Sequence, residues 1–365
     1  MKRPRYLVLT PGMTGADGIA EVSRLALRAL GAPGRRPASE GMEVVSLTDP
    51  SGFSMGDGNF PTARFFGAGG RRVRFVAAAL RAGLRTGLRT GGAPAILCLH
   101  LHLSPLTWLL AAKSVVMLYG VEAWRPLDPL ERLALRRARL LVAISADTAR
   151  RFREANPDFC DRVIEICHLA VRHKDAAPPA AEGARAEVPP FALIVGRIVA
   201  EERYKGHDLL IDIWPSVMEA VPGARLVIVG DGDDRARLEA RAAHLDAHVS
   251  FRGRVSDGLL AQLYRDCAFF VMPSLGEGFG LVFLEAMQAG KACIGCVGAA
   301  AEVIQDGVTG FVVEQRREQV LGAVLRLFRE PDLRRRMGEA GAARVAGEFT
   351  ETHFQRRFRA LLGLG

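Results

Sequence analysis

Pro273-Ser274-Leu275-Gly276-Glu277-Gly278-Phe279-Gly280-Leu281-Val282-Phe283-Leu284-Glu285-Ala286-Met287 decides how this chain is read. The apolar run Ala268 to Met272 ahead of it predicts a buried strand. Pro273 stops that strand, the glycines make a turn, and Val282, Ala286 and Ala289 recur at helical spacing. The segment is therefore expected to run strand, loop, helix. Its glycines let the backbone approach a ligand closely, and the unpaired N–H groups from Gly280 through Leu281 to Val282 suit an anion such as a diphosphate. Glu277 in the loop and Glu285 about one turn into the helix can face one cavity. A carboxylate so placed can accept hydrogen bonds from two neighbouring ribose hydroxyls. On the residues alone, the alternative is an ordinary strand-to-helix turn with two solvated glutamates.

The stretch resembles the Glu-x7-Glu signature of retaining nucleotide-sugar glycosyltransferases, specifically glycosyltransferase family 4, down to the Pro-Ser, Glu-Gly-Phe-Gly and Leu-Glu-Ala-Met neighbours. The resemblance implies that Glu277 contacts the donor sugar, that Glu285 holds the ribose, and that Gly280, Leu281 and Val282 bind the diphosphate. Two carboxylates beside a diphosphate repel it, so cations are needed elsewhere. Phe191 to Arg197 reads as a strand ending in an arginine, and Lys205-Gly206-His207-Asp208 opens the next helix. These resemble the family's Val-Gly-Arg and Lys-Gly positions, which implies that Arg197 and Lys205 neutralise charge on the leaving nucleoside diphosphate. Either cation alone would be unremarkable at the end of an element. Val249 to Arg254 resembles the base-contacting strand end and implies a place for Arg252 near the nucleobase. Gly298 to Gly307 matches Gly-Gly-x-x-Glu-Val-Ile-x-Asp-Gly, except that Ala299 stands where the second glycine is expected.

At 365 residues the chain exceeds one typical core and fits two α/β domains. With 49% hydrophobic and 24% charged residues, both can bury real cores. The expected organisation is a first domain over residues 1–175, a linker rich in Ala and Pro over 176–190, a second domain over 191–348, and a terminal helix over 349–365 crossing back to the first. Met1-Lys2-Arg3-Pro4-Arg5 leads into a short apolar run, so no signal peptide is expected. The best candidate for a membrane span, Ala95 to Tyr119, is broken by His100, His102, Pro105 and Lys113. Six scattered cysteines predict reduced, buried thiols in a cytoplasmic protein. Cys293-x-x-Cys296 lacks a second ligand pair for zinc and a thioredoxin-like context. The net charge of +9 is uneven: 26 basic against 16 acidic residues up to Gly183, and 23 against 24 after it. The first half is thus the part that would meet an anionic surface.

In that first half, strands are expected at Tyr6–Thr10, Glu43–Leu47, Ala95–Leu101, Ser114–Tyr119, Leu140–Ile144 and Val163–Cys167. Helical patterns lie between several of them, as in a parallel sheet covered on both faces. The glycines after the first strand fall as G-x-x-G-x-x-G, which speaks against a nicotinamide site. The family resemblance implies a donor-facing role for Gly15; a flexible connecting loop is the other reading. Arg71, Arg72, Arg74, Arg81, Arg85 and Arg89 punctuate an amphipathic run suited to anionic headgroups, whereas a solvated helix face is the commoner meaning of such a pattern. Few aromatics accompany these arginines, so no nucleic-acid partner is expected. His100 and His102, in period-2 spacing, are expected on one face beyond a strand end, as a structural pair or lining an acceptor pocket. Met117 to Trp124 resembles the family's His-Gly-x-Glu-x-Trp stretch, with Tyr119 where histidine is usual.

The resemblance covers almost the whole chain and is strongest from Phe191 to Val313. It implies an α/β protein of two Rossmann-like domains facing a central cleft, the GT-B architecture. The activity implied is transfer of a hexose, with retention of configuration, from a UDP- or GDP-sugar to a lipid-linked glycan or polysaccharide. Glu277, Arg197 and Lys205 would be catalytic, and His100, His102 and Tyr119 would lie on the acceptor side. No cofactor and no acidic metal site are expected. The enzyme would work in the cytoplasm, at the inner membrane face. A nucleotide-sugar epimerase of the same architecture and a non-catalytic nucleotide-sugar-binding protein are the alternatives, and Tyr119 and Ala299 are the departures that favour the latter.

Overall fold

The computed structural model describes residues 6–15, 18–31, 42–52, 64–86, 96–110, 113–172 and 190–364. The expected linker, apart from Pro190, lies outside the described residues, as do Arg89 and Ala95. The chain forms two compact units, Met1–Ala170 with Glu351–Gly365, and Val171–Thr350.

In the first unit, β1 (Leu7–Thr10), β2 (Glu43–Ser46), β3 (Arg64–Gly67), β4 (Ile96–Cys98), β5 (Ser114–Leu118), β6 (Leu140–Ala143) and β7 (Ile164–Ile166) form one sheet. Its order is β3-β2-β1-β4-β5-β6-β7, with every pairing parallel. Helices cover it, so strands such as Ser114–Leu118 are wholly buried, which is why they read as continuous apolar runs rather than alternating ones. The helix Gly18–Gly31 buries Val22, Leu25, Ala26, Ala29 and Leu30, one stripe at helical spacing. The C-terminal helix Glu351–Leu361 packs on it: Phe354 and Phe358 are buried, Glu351 accepts from Arg28 at 2.6 Å, and Arg359 donates to the Ala29 carbonyl at 3.1 Å.

The second unit holds β8 (Phe191–Val195), β9 (Arg225–Val229), β10 (Val249–Phe251), β11 (Phe269–Met272), β12 (Cys293–Cys296) and β13 (Gly310–Val313), also parallel. Their order, β10-β9-β8-β11-β12-β13, is that of a Rossmann-like sheet. β3 had no counterpart among the expected strands: Arg64-Phe65-Phe66-Gly67 is short, lies at the sheet edge, and alternates too little to signal itself. The strand expected over Ala95–Leu101 ends at Cys98, and Leu101–Leu103 turns into a single 3-10 turn. Cys98, Cys167, Cys267, Cys293 and Cys296 are buried free thiols, while Cys160 is exposed, against expectation. Among the described residues, no helix is long and apolar enough to cross a membrane.

Candidate functional site

In an open parallel sheet, ligands bind beyond the carboxyl ends of the strands at the point where the strand order reverses. In the second unit that point lies between β8 and β11. The loops leaving those two strands carry Gly196-Arg197 and Pro273 to Gly280, so the sheet order itself brings the two strongest sequence signals together.

Lys205 is the hinge of the arrangement. Its Nζ lies 3.3 Å from Glu202 Oε2 and 4.0 Å from Glu277 Oε1. The stem passes over Gly196, where an added Cβ would stand 3.4 Å from Lys205 Cδ. Arg197 pairs with the other oxygen of Glu202. The Ser274 hydroxyl donates to Glu277 Oε1 at 3.0 Å and orients it. The Tyr204 ring fills the space that a side chain at Gly276 would need, with Cε2 at 2.5 Å from an added Cβ. Burial first, then Glu202 and Glu277, push the Tyr204 phenol up to about 12, so it stays protonated at neutral pH. Gln315 ties the two loops together, its Nε2 donating to the Tyr204 carbonyl at 3.0 Å and to the Pro273 carbonyl at 2.6 Å.

Gly280 precedes the helix Leu281–Gln288 in the left-handed region, φ 89° and ψ 57°, with the Phe283 ring 2.5 Å from where a Cβ would stand. Only glycine opens the helix in this way. The first-turn N–H groups of Leu281 and Val282 have no carbonyl within the helix to meet, so they form an anion-seeking end. Glu285, in the second turn, accepts from the Tyr264 hydroxyl at 2.9 Å. Burial above all keeps that phenol protonated and therefore a donor. Arg252 is exposed just past β10.

One departure from the family pattern, and one acidic pair, have physical readings. Ala299 sits at φ −59° and ψ −29°, ordinary right-handed backbone, so the glycine expected there is not needed for conformation. Asp231 and Asp233 also form an Asp-x-Asp, but Asp231 accepts from the Gly232 N–H and lies 3.7 Å from Arg235, and Asp233 accepts from the Ala200 N–H. Among the described residues, no three His, Cys, Asp or Glu side chains cluster as a metal site.

In the first unit the reversal lies between β1 and β4. There the loop Pro11 to Gly15 is held by Asp49, a buried carboxylate accepting from the Met13 N–H at 2.9 Å, the Thr14 N–H at 2.9 Å, the Thr14 hydroxyl at 2.6 Å and the Ser46 hydroxyl at 2.6 Å. Burial pushes this carboxyl up, yet the hydrogen bonds together outweigh it and hold it below its ordinary 3.8. Gly12 is a matter of space, since a Cβ would collide with Thr48 Oγ1. The Gly15 carbonyl accepts from Arg24 at 3.0 Å.

His100 and His102 come together, but through the 3-10 turn rather than along a strand face, with ring centroids 5.1 Å apart. His100 is buried, and desolvation lowers its pKa, so its ring is neutral at pH 7. His102 is 55% exposed and its Nδ1 lies 3.1 Å from Glu131, a buried carboxylate forked by Arg125 at 2.8 and 3.0 Å. Tyr119 packs 5.9 Å from His100, but its ring is buried and its hydroxyl faces the Met117 sulfur at 3.8 Å. A phenol so placed is a packing group, not an exposed polar lining. Glu202, Ser274, Tyr204, Gln315, Tyr264 and Asp49 escaped sequence reasoning, because each matters only through a partner that folding brings to it.

Residues 189–330 match the family model described as Glycosyl transferases group 1. A GDP-mannose-dependent monoacylated alpha-(1-6)-phosphatidylinositol monomannoside mannosyltransferase of Corynebacterium glutamicum is 31% identical over 264 residues, 66% of this chain and 67% of that protein. A phosphatidyl-myo-inositol mannosyltransferase of Mycobacterium leprae is 36% identical over 156 residues, 42% of this chain and only 41% of that relative's length. Among solved structures, a sucrose-phosphate synthase from Thermosynechococcus elongatus superposes with a TM-score of 0.76 over 100% of both chains at 20% identity. An Anabaena protein solved with UDP and glucose also gives 0.76, over 98% of this chain and 99% of that one, at 16% identity. At those identities the likeness is one of fold, two Rossmann-like domains of the GT-B type. Taken with the match to the Corynebacterium enzyme over two thirds of its length, it places this chain in the family of group 1 glycosyltransferases, of the type of glycosyltransferase family 4.

Proposed function

We propose that this chain is a retaining hexosyltransferase that moves a sugar from a nucleoside diphosphate donor to a hydroxyl of a lipid-linked acceptor. The observation that carries the reading is the convergence of Arg197, Lys205 and Glu277 at the strand-order reversal of the second unit, beside the glycine-opened helix that bears Glu285. Of the two donor classes, a GDP-sugar is favoured, GDP-mannose first. The relative matched over two thirds of its length is GDP-mannose-dependent by name, while the UDP-bound neighbour shares only the fold.

In this reading Arg197, Lys205 and the N–H groups of Leu281 and Val282 hold the diphosphate and take up charge as it departs. Arg252 lies toward the base and Glu285 binds the ribose. The bond from the anomeric carbon to the β-phosphate oxygen breaks while the acceptor oxygen bonds the same face. The acceptor proton passes to the departing phosphate oxygen. Glu277 orients and polarises the sugar without bonding to it. His100 and His102 belong to the acceptor side, and Gly15 contributes to donor binding.

A lipid-linked acceptor fits the relative's name and the first half's basic charge. It fits also the helix Arg72–Thr86, whose Arg72, Arg74 and Arg81 are exposed beside Val73 and Leu84, 83% and 69% exposed. Such a face suits peripheral contact with anionic lipid at the cytoplasmic side of a membrane.

The test is calorimetric titration with GDP and UDP on the wild type and on Glu285→Ala, followed by turnover of GDP-mannose by Glu277→Gln. Saturable binding lost in Glu285→Ala, and turnover reduced at least about 100-fold in Glu277→Gln, are expected. Absence of nucleotide binding, or full turnover by Glu277→Gln, would overturn the reading. Isomerised donor in the absence of acceptor would point to an epimerase instead.

A further inference from the structure

Both cations proposed for the diphosphate already hold a carboxylate. Glu202 presents one oxygen to the Arg197 guanidinium and the other to Lys205 Nζ, at 3.3 Å from the latter. Its side chain is 11% exposed and that of Arg197 is 67% exposed, so the acid is the enclosed member and the arginine lies over it. One small anion spanning a guanidinium and an ammonium is what a diphosphate would also be. With Glu277 near the same ammonium, two cations face two carboxylates and the cluster is neutral. A neutral cluster exerts no net attraction on a dianion, so one carboxylate must yield its cations when the anion enters.

Glu202 is the one built to yield. Glu277 is fixed by Ser274, in a loop that Gln315 pins. Glu202 sits at a break in the 3-10 segment Ala200–Lys205, with non-helical φ −113° and ψ 26°. The flanks of that break are tethered: the Ala200 N–H donates to Asp233 at 2.9 Å, Arg203 forks Asp234 at 2.7 and 3.0 Å, and Gln315 holds the Tyr204 carbonyl. Oε2 of Glu202 is buried 3.3 Å from Lys205 Nζ and, among the described residues, has no well-directed hydrogen bond.

We infer that Glu202 is an internal stand-in for the donor's diphosphate, closing the Arg197–Lys205 pair in the free protein and turning away when a nucleoside diphosphate binds. The inference rests on the donor-site reading above and adds a residue that sets donor affinity without touching the reacting atoms.

The experiment is titration of wild type, Glu202→Gln and Glu202→Ala with GDP, UDP and the corresponding nucleosides, at low and high salt. Melting curves would verify the fold. Both variants are expected to bind the preferred diphosphate roughly three- to tenfold more tightly, a gain that shrinks with salt, with nucleoside affinity unchanged. Unchanged or weaker diphosphate binding in folded variants would overturn the inference, since Glu202 would then organise the cations rather than compete for them. Should Glu202→Ala fail to fold, the isosteric Glu202→Gln decides. If no diphosphate binds any of the three proteins, the donor-site reading itself fails and the inference falls with it.

Discussion

The Tyr264 hydroxyl donates to Glu285 Oε2 at 2.9 Å, from a phenol buried in the second unit's core. The acid proposed to hold the ribose is thus aimed by a residue twenty-one positions earlier, on the neighbouring helix Asp257–Asp266. Tyr264→Phe leaves the ring packing intact and removes this hydrogen bond from the carboxylate. We expect nucleotide affinity to fall about three- to tenfold, with stability lowered by about 1 kcal/mol, as for loss of one hydrogen bond. Calorimetry and urea unfolding check the two halves separately.

Gly280→Ala should be costly. The added Cβ meets the Phe283 ring at 2.5 Å in a left-handed conformation that alanine disfavours. Strain at one such position amounts to about 1–3 kcal/mol. If the helix relaxes toward right-handed backbone instead, its first-turn N–H groups turn away, so diphosphate affinity should drop even where melting changes little.

Asp49 predicts acid sensitivity in the first unit. Its folded carboxyl titrates below the ordinary 3.8, so its stabilisation is complete above that value and is lost as pH falls through the folded value. Asp49→Asn cannot accept all four hydrogen bonds and should cost on the order of 2–3 kcal/mol at pH 7. The gap between variant and wild type, measured by urea unfolding, should narrow as pH is lowered from 6 to 3. A gap independent of pH would refute the assignment.

His207 predicts a dependence at milder pH. Burial first, then Lys205, lower its folded pKa from 6.5 to about 4, and its Nε2 is buried without a hydrogen-bond partner among the described residues. The unfolded chain therefore takes up the proton first as pH falls. The ring's contribution is complete above 6.5 and is lost on the way down to about 4, on the order of 1–2 kcal/mol by pH 5. His207→Met, of similar size and uncharged, should flatten stability between pH 7 and 5 and cost little at pH 7.

Local signals reached far along this chain. The strand before Pro273 and the helix after Gly280 were legible because apolar runs and helical spacing act within one element, and the observed Phe269–Met272 and Leu281–Gln288 lie inside the expected spans. Two acids eight residues apart across a glycine loop, with Arg197 and Lys205 upstream, are likewise a pattern of types and spacings. The edge strand Arg64–Gly67 was illegible because four residues at a sheet margin carry almost no periodicity.

The sequence by itself determined the parallel α/β alternation, the strand-loop-helix that bears Glu277 and Glu285, and the uneven basic charge, since each is written in neighbouring residues. Only the tertiary structure decided that Glu202 would hold both cations, that Tyr264 would aim Glu285, that Asp49 would gather the loop before Gly15, and that Tyr119 would turn its hydroxyl to Met117. The reason is physical. Such partnerships join side chains on elements that sheet order places side by side, or settle one rotamer against its packing, and no local pattern carries either.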